Sequence, residues 1–247
     1  MKLSVVIITL NEEKNIKRCL DSVKELADEI VLVDSGSLDA TVKIAREYNA
    51  RVYFREFDNY ANQKNYALEK ARGQWIFSID ADEEISDELG KEIRQVISID
   101  DFDGYLIPRK NIILGGEIKH SRWSPDEHVW LWKKDKGSWK GKVHEEVLVK
   151  GPVGKLKGAK IHYQSENVRL FFEMINRYTE IEAEEKKEKG IRFSFFRLFY
   201  DPWLSFFRRY FYKKGFLDGW RGFILSYLMA IYRMTVWFKV WERRKEC

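Results

Sequence analysis

The chain has 247 residues, 45% of them hydrophobic and only four of them proline, which allows one large buried core and excludes a disordered or low-complexity protein. Its two cysteines, Cys19 and Cys247, form neither a disulfide framework nor a zinc-ligand spacing, so a reducing compartment without disulfides is expected. The formal net charge of +5 hides unlike parts: residues 191–247 carry 12 Lys and Arg against 4 Asp and Glu, net +8, leaving −3 (32 against 35) for residues 1–190. The same C-terminal segment holds 19 of the 37 aromatic residues, so a boundary is expected near Gly190.

The opening run MKLSVVIITLNEEK lacks the small-residue cleavage site of a secretory leader and reads as a first strand, Leu3 to Ile8. Further short apolar runs at Ile30 to Val33, Val52 to Phe54 and Trp75 to Ile79 have strand length and β-branched or aromatic content. Helical patterns separate them. Ile16, Cys19, Leu20 and Val23 recur at helical spacing behind Asn11 as an expected N-cap; a second helix should follow Ser37; a third should run from Asn59 to Arg72, with Gly73 as its C′ residue. Strand and helix in alternation predict a parallel sheet with right-handed crossovers, whose ligands lie beyond the carboxyl ends of the strands.

Three polar segments fall at those ends: TLNEE, DSGS and DADEE. In an extended segment Asp80 and Asp82 point to one side, with Ala81 facing the core. Two carboxylates so placed repel unless a proton or a cation intervenes, and hard oxygen ligands suit Mg²⁺ or Mn²⁺, which in turn hold diphosphate oxygens. The competing explanation is that Asp82, Glu83 and Glu84 only begin the helix of Asp87 to Val96, where acids favour the dipole.

Four segments in order, SVVIITLNEEKNI, EIVLVDSGSLDAT, NQKNYALEKARGQWIFSIDADEEIS and GKVHEEVLV, with KKGFLDGWRGF in the tail, resemble the family 2 glycosyltransferases. The resemblance covers nearly the whole chain and is nearest to the lipopolysaccharide-core glucosyltransferase-like branch. It implies a GT-A fold, a nucleotide-sugar donor (usually a UDP-sugar), a divalent metal at the DxD, and inversion at the anomeric carbon. By the same resemblance Thr9, Asn11 and Glu12 match the loop that contacts the nucleoside, and Asp34 the residue that accepts from the base, with Ser35 in its turn. Lys64 and Arg72 match donor-facing positions, solvated helix charges being the alternative for both. Asp80 would approach the ribose or the metal, and Asp82 would be the direct metal ligand; apart from the resemblance, His162 is a candidate to complete the metal or the phosphate site, a structural histidine being the alternative.

Inverting transfer needs a carboxylate base for the acceptor hydroxyl. The resemblance aligns His144 and Glu145 with the base position; Glu145 and Glu146 point to opposite sides of an extended segment, so only one faces the cleft, and Glu145 is preferred with Glu146 or Asp126 as alternatives. Trp123, Pro125 and Asp126 resemble the loop over the acceptor, and His144 could orient the base there. The sequence departs from the family pattern at Trp130, where an Arg is usual; Val129 to Trp132 could equally be a strand buried on both sides.

A charged helix is expected from Val168 to Lys189, then a helix with Asp201 and Pro202 as N-cap and N1, and a last one from Gly219 to about Arg244. Arg233 interrupts the best apolar stretch, so no uninterrupted span of about 18–20 residues is expected to cross a membrane. Aromatics interleaved with Lys and Arg suit an anionic membrane surface first, partner helices or a second copy of the chain next, and nucleic acid last.

The reading is therefore an α/β protein: a GT-A catalytic domain over residues 1–190, with a mostly parallel central sheet and flanking helices, and a helical, aromatic and basic appendage over residues 191–247. Its expected activity is inverting transfer of a hexose, glucose first among them, from a UDP-sugar to a lipid-linked saccharide in cell-envelope or lipopolysaccharide-core synthesis, with Mn²⁺ or Mg²⁺. The expected place is the cytoplasmic face of the membrane, as a peripheral protein. A sugar-phosphate nucleotidyltransferase is the enzymatic alternative, disfavoured because TLNEEKN lacks a glycine-rich phosphate loop; a non-enzymatic membrane or RNA adaptor is the other.

Overall fold

The computed structural model describes residues 2–141, 145–164 and 167–246. They form two compact units, one of residues 1–110 and 126–162, the other of residues 111–125 and 163–247.

The first unit begins with strand–helix alternation: β1 (Leu3–Thr9), α1 (Ile16–Val23), β2 (Glu29–Asp34), α2 (Thr41–Glu47), β3 (Arg51–Phe54), α3 (Tyr60–Lys70) and β4 (Trp75–Ser78). β1 lies between β2 and β4 and β3 extends the other side of β2, all parallel, with Val5 opposite Ile30 and Phe77. β1 and β2 are nearly all buried, which is why they read as unbroken apolar runs rather than alternating ones. Short β5 (Glu83–Ile85) follows, then α4 (Asp87–Ile99), β6 (Gly104–Ile113), β7 (Gly116–Ile118), β8 (Glu127–Lys133), β9 (Gly137–Lys140), β10 (Glu146–Val149), β11 (Val153–Lys155) and β12 (Lys160–Gln164). β8 joins antiparallel to β4 and β6 to β8, making a mixed sheet in the order β3-β2-β1-β4-β8-β6. β12 pairs with β5, His162 opposite Glu83, and β9 with β10 form a separate hairpin.

Two local expectations change. α1 is capped at Asn15, not Asn11: Asn11 has φ 56°, and its side chain accepts from the Leu38 N–H at 2.9 Å, tying the first loop to the second. α3 starts behind Asn59 as expected, its side chain accepting from the Asn62 N–H, but ends at Lys70. Gly73 is instead a point of close approach, its N–H 2.7 Å from Ser4 Oγ.

The second unit holds the β7 turn and three helices, α5 (Val168–Glu188), α6 (Phe195–Phe207) and α7 (Gly219–Glu242). α5 groups with the C-terminal helices and not with the sheet, because Phe171, Ile175, Thr179 and Ala183 are buried there beside Leu225, Leu228, Val236 and Trp237. The compact units therefore do not divide at Gly190. Asp201 and Pro202 do not start a helix: Ser194 caps α6 and Pro202 lies within it, while the Asp201 carboxylate accepts from the Trp237 indole N–H at 2.8 Å. Residues Gly215 to Glu242 are long and apolar enough to cross a membrane by length and composition once isolated charges such as Arg233 are tolerated, and a third of the apolar window is buried in the fold. Arg233 itself is paired with Glu182 at 2.8 Å.

A Cβ at Gly73 would come within 2.6 Å of the Ser4 backbone nitrogen, which has no room to move inside β1. Gly73→Ala should lower unfolding free energy by about 1–3 kcal/mol in denaturant melts; an unchanged midpoint would show that the α3–β4 turn yields more easily than its contacts imply.

Candidate active site

β1 and β2 end side by side, Thr9 opposite Asp34, and the chain after β4 turns beside them. Asp34 is 4% exposed, and its carboxylate accepts from the Gly36 and Ser37 N–H groups (2.9 and 2.8 Å), from Ser37 Oγ (2.5 Å) and from Thr9 Oγ1 (3.1 Å). A carboxylate has about four acceptor positions, so these bonds fill it. Asp34 thus shapes the DSGS turn, in which Gly36 has φ 99°, and a base N–H reaches it only by replacing one of these donors. Ser35 Oγ accepts from Gln63 Nε2 at 2.9 Å, and Gln63 accepts from Arg55 at 2.7 Å. The Asn11 N–H donates to Ser37 Oγ at 2.8 Å, and Glu12 accepts from Asn15 at 2.9 Å. Burial raises the Glu12 carboxyl above its ordinary value, Asp82, Asp39 and Asp80 adding to the effect against Asn15. Thr9, Asn11, Glu12, Asp34 and Ser35 therefore form one polar rim.

The acids after β4 do not begin a helix. Glu83 opens β5, and α4 begins at Asp87 behind the Ser86 cap. Asp80 and Asp82 take different partners. Asp80 Oδ1 lies 3.2 Å from Lys64 Nζ, and Asp82 Oδ2 lies 3.1 Å from His162 Nε2. Lys64, on α3, is 4% exposed, which removes the solvated alternative for it; Arg72 is exposed. The same ammonium lies 3.1 Å from Glu145 Oε1 and 4.5 Å from the Trp139 ring centre. Neighbouring Asn65 exchanges two 3.0 Å hydrogen bonds with the Trp139 backbone and so fixes β9 against α3. Burial alone would push the Lys64 amine down, but Asp80 and Glu145 outweigh it and raise it. Burial likewise opposes the charge on Asp80, yet Lys64, Lys160 and Arg109 hold its carboxyl below the usual range. Glu146 is exposed in β10, whereas Glu145, just before that strand, is half-buried.

Behind this pair lies a buried charge network that the sequence reading did not single out. Glu83, fully buried, pairs with the fully buried Lys160 and, at 3.3 Å, with Arg109. Arg109 continues to Asp126 at 2.8 Å, and Asp126 to His128 at 3.0 Å. Glu83 also accepts from the Asp80 N–H at 2.9 Å while its own N–H donates to the Asp80 carbonyl, so it sets the Asp80–Asp82 turn. The Lys160 ammonium lies 3.5 Å from the Trp130 ring centre. Burial pushes the Lys160 amine below its ordinary value despite Glu83 and Asp80. One signal was available: Lys160 and His162 are two apart in a strand and share a side. Trp130, Leu131 and Trp132 are all buried in β8.

Among the described residues no three or more His, Cys, Asp or Glu side chains are grouped to hold a metal. Asp82 and His162 nevertheless fit as a partial donor set, a carboxylate and an imidazole already at 3.1 Å, of the kind that substrate phosphate oxygens complete. Burial lowers the His162 ring, and the bond to Asp82 more than offsets this and raises it. Asp80, turned to Lys64, does not share that position. Trp123 belongs to the second unit, where it packs on the cluster of Ile113, Phe171 and Leu225, and Asn111 donates to its carbonyl at 2.8 Å. His144 lies outside the described residues.

Comparison with known proteins gives three findings. Residues 4–150 match the sequence profile described as glycosyl transferase family 2. The lipopolysaccharide core biosynthesis glycosyltransferase LpsC of Rhizobium meliloti is 30% identical over 252 aligned positions, covering 98% of this chain and 93% of its own. An uncharacterised glycosyltransferase of Rickettsia typhi is 31% identical, covering 94% of this chain and 84% of its own. Among solved structures, S. aureus TarS 1-349 in complex with UDP-GlcNAc has a TM-score of 0.50 at 17% identity, covering 100% of this chain and 92% of that one, a likeness of fold.

Removing the charge of Glu83 leaves the fully buried Lys160 without the carboxylate it pairs with, whereas Arg109 keeps Asp126. Glu83→Gln should therefore cost about 3–5 kcal/mol of stability in denaturant titrations; a loss below about 1 kcal/mol, the range of exposed pairs, would mean that water reaches Lys160.

Proposed function

This chain belongs to glycosyl transferase family 2, and on that premise we propose that it moves a hexose from a UDP-sugar to a lipid-linked saccharide with inversion at the anomeric carbon. The observation that carries the reading is Lys64, a buried ammonium held between Asp80 and Glu145 at 3.2 and 3.1 Å. That arrangement sets a carboxylate free of the sheet beside a cation suited to diphosphate.

In this mechanism the rim of Thr9, Asn11, Glu12, Asp34 and Ser35 receives the nucleoside, and Lys64 offsets diphosphate charge. Asp82 and His162 would hold Mn²⁺ or Mg²⁺, which when bound supplies Lewis-acid stabilisation of the leaving diphosphate. Glu145 takes the proton from the acceptor hydroxyl as its oxygen forms the new bond to the anomeric carbon, while the bond to the diphosphate oxygen breaks on the opposite face. Glu83 keeps the Asp80–Asp82 turn in place, and Arg109 ties Asp126 to the same network. The donor assignment follows the family and agrees with the UDP-GlcNAc named for TarS; the acceptor class follows the name of LpsC.

The second unit suits work at the cytoplasmic surface of a membrane. Phe195, Phe199, Trp203, Phe207 and Phe211 recur every fourth residue, with exposures from 39% to 70%, and the segment is rich in Lys and Arg. A folded soluble domain rarely leaves so many aromatics in water.

Glu145→Gln should keep UDP affinity and lose about 10²–10⁴-fold in transfer rate. Normal turnover would pass the base role to Glu146 or Asp126. Asp82→Asn should remove the part of UDP binding that depends on Mn²⁺; if that dependence persists, Asp82 is not a ligand.

A further inference from the structure

The second unit contains arginines that nothing in the proposed transfer reaction uses. Past α6 the chain continues as a π-helical turn, Arg208–Tyr212, a form often found at functional sites. Arg209 lies half-buried there and donates from Nη1 to the Ser121 carbonyl at 2.9 Å. The Ser121 N–H in turn donates to the Lys213 carbonyl at 2.9 Å, and Ser121 Oγ lies 3.3 Å from Ser226 Oγ, so the loop carrying Arg122 is fastened to this turn from both sides. Ser121 and Arg122 both hold left-handed conformations, φ 59° and 69°, which side chains rarely adopt. These two bonds at Ser121 bring the next residue, Arg122, to the turn that carries Arg208 and Arg209.

Among the described residues none of these three arginines is paired with a carboxylate; Arg233, the fourth nearby, is already paired with Glu182. The two acids that flank the turn in sequence are engaged elsewhere: Asp201 by the Trp237 indole, Asp218 by the Lys119 and His120 N–H groups at 3.0 Å. Burial first, then Arg122, Arg233 and Arg208, lower the Arg209 guanidinium to about 10, the sign of a cation that lacks a counter-charge. The Trp123 indole N–H, next in the chain to Arg122, is buried without a hydrogen-bond partner among the described residues. Guanidinium groups without carboxylates match phosphate, which they bind in pairs of parallel hydrogen bonds. The aromatic series ends on this same turn, with Phe207 stacked on Phe211 at 5.3 Å and Tyr212 75% exposed. A ligand of this turn therefore carries both an anionic group and an apolar body.

We propose that Arg122, Arg208 and Arg209 form a site for the terminal phosphate monoester of a membrane lipid, the acyl chains of which meet the neighbouring aromatic side chains. This rests on the membrane-surface reading of the helices and gives it a specific headgroup chemistry.

The test uses the full chain and sedimentation with vesicles of phosphatidylcholine containing either phosphatidic acid or phosphatidylserine at equal net charge. The unaltered protein should prefer the phosphatidic acid vesicles several-fold. Arg122→Gln with Arg208→Gln should abolish that preference, whereas Lys213→Gln with Lys214→Gln, the same change of charge on exposed side chains, should weaken both bindings and keep the preference. Equal binding to the two lipids by the unaltered protein, or equal loss in the two double variants, overturns the site and leaves the membrane reading standing. Failure to bind any anionic vesicle overturns both. Calorimetric binding of inorganic phosphate that the arginine variant loses, with no vesicle preference, would make it a site for a free ion and overturn the lipid assignment.

Discussion

A single ammonium group joins the parts of this molecule that chemistry must bring together. Lys64 comes from α3, Asp80 from the turn after β4, and Glu145 from the approach to β10, and the cation touches both carboxylates. Taking an ammonium out of water costs several kcal/mol. One carboxylate at about 4 Å returns about 4 kcal/mol at an effective dielectric of 20, so a lone partner leaves little margin, and the second carboxylate with the Trp139 face secures the charge. Conversely, Asp80 and Glu145 could not share this space ionised without Lys64. In the proposed mechanism donor side and base side are therefore assembled before substrate arrives, the arrangement that electrostatic stabilisation of a leaving diphosphate requires.

The second layer explains why the turn holds its shape. Glu83 is bonded to the Asp80 N–H, to Lys160 and to Arg109, and Arg109 leads to Asp126 and His128. Acid and base alternate along this series, each charge having a partner on both sides or an aromatic face such as Trp130. The fully buried ammonium lying against the Trp130 ring belongs to Lys160. Membership of glycosyl transferase family 2 also sets aside the nucleotidyltransferase alternative, in line with the lack of a glycine-rich loop after β1.

Much of this was legible in the sequence, and the exceptions have physical causes. Three of the four parallel strands, β1, β2 and β4, were readable because strands covered on both faces are unbroken apolar runs bounded by turns, and the half-exposed edge strand β3 was readable from Val52, Tyr53 and Phe54. The polar segments after them were placed by the rule for parallel sheets; alternation separated Glu145 from Glu146 and the family resemblance chose between them, and Glu145 is the one that meets Lys64. Long-range contacts hid the rest. Asn11 looks like a helix cap but serves the neighbouring loop, and Asp201-Pro202 looks like a helix start but Asp201 is taken by Trp237, 36 residues on. Composition put a boundary at Gly190, whereas burial of Phe171, Ile175 and Ala183 groups α5 with the tail. Lys160 was invisible because a buried lysine is rare a priori, and only its partner Glu83 makes it tolerable.

The most direct test of the account is the calorimetric affinity for UDP in the presence of Mn²⁺, measured on the unaltered chain and on Lys64→Met, with circular dichroism to check that the variant is folded. The account predicts that the unaltered chain binds UDP and that the folded variant binds it at least about tenfold more weakly, a loss of about 1.4 kcal/mol. Equal affinity in the two proteins, or no UDP binding by the unaltered chain, would contradict it.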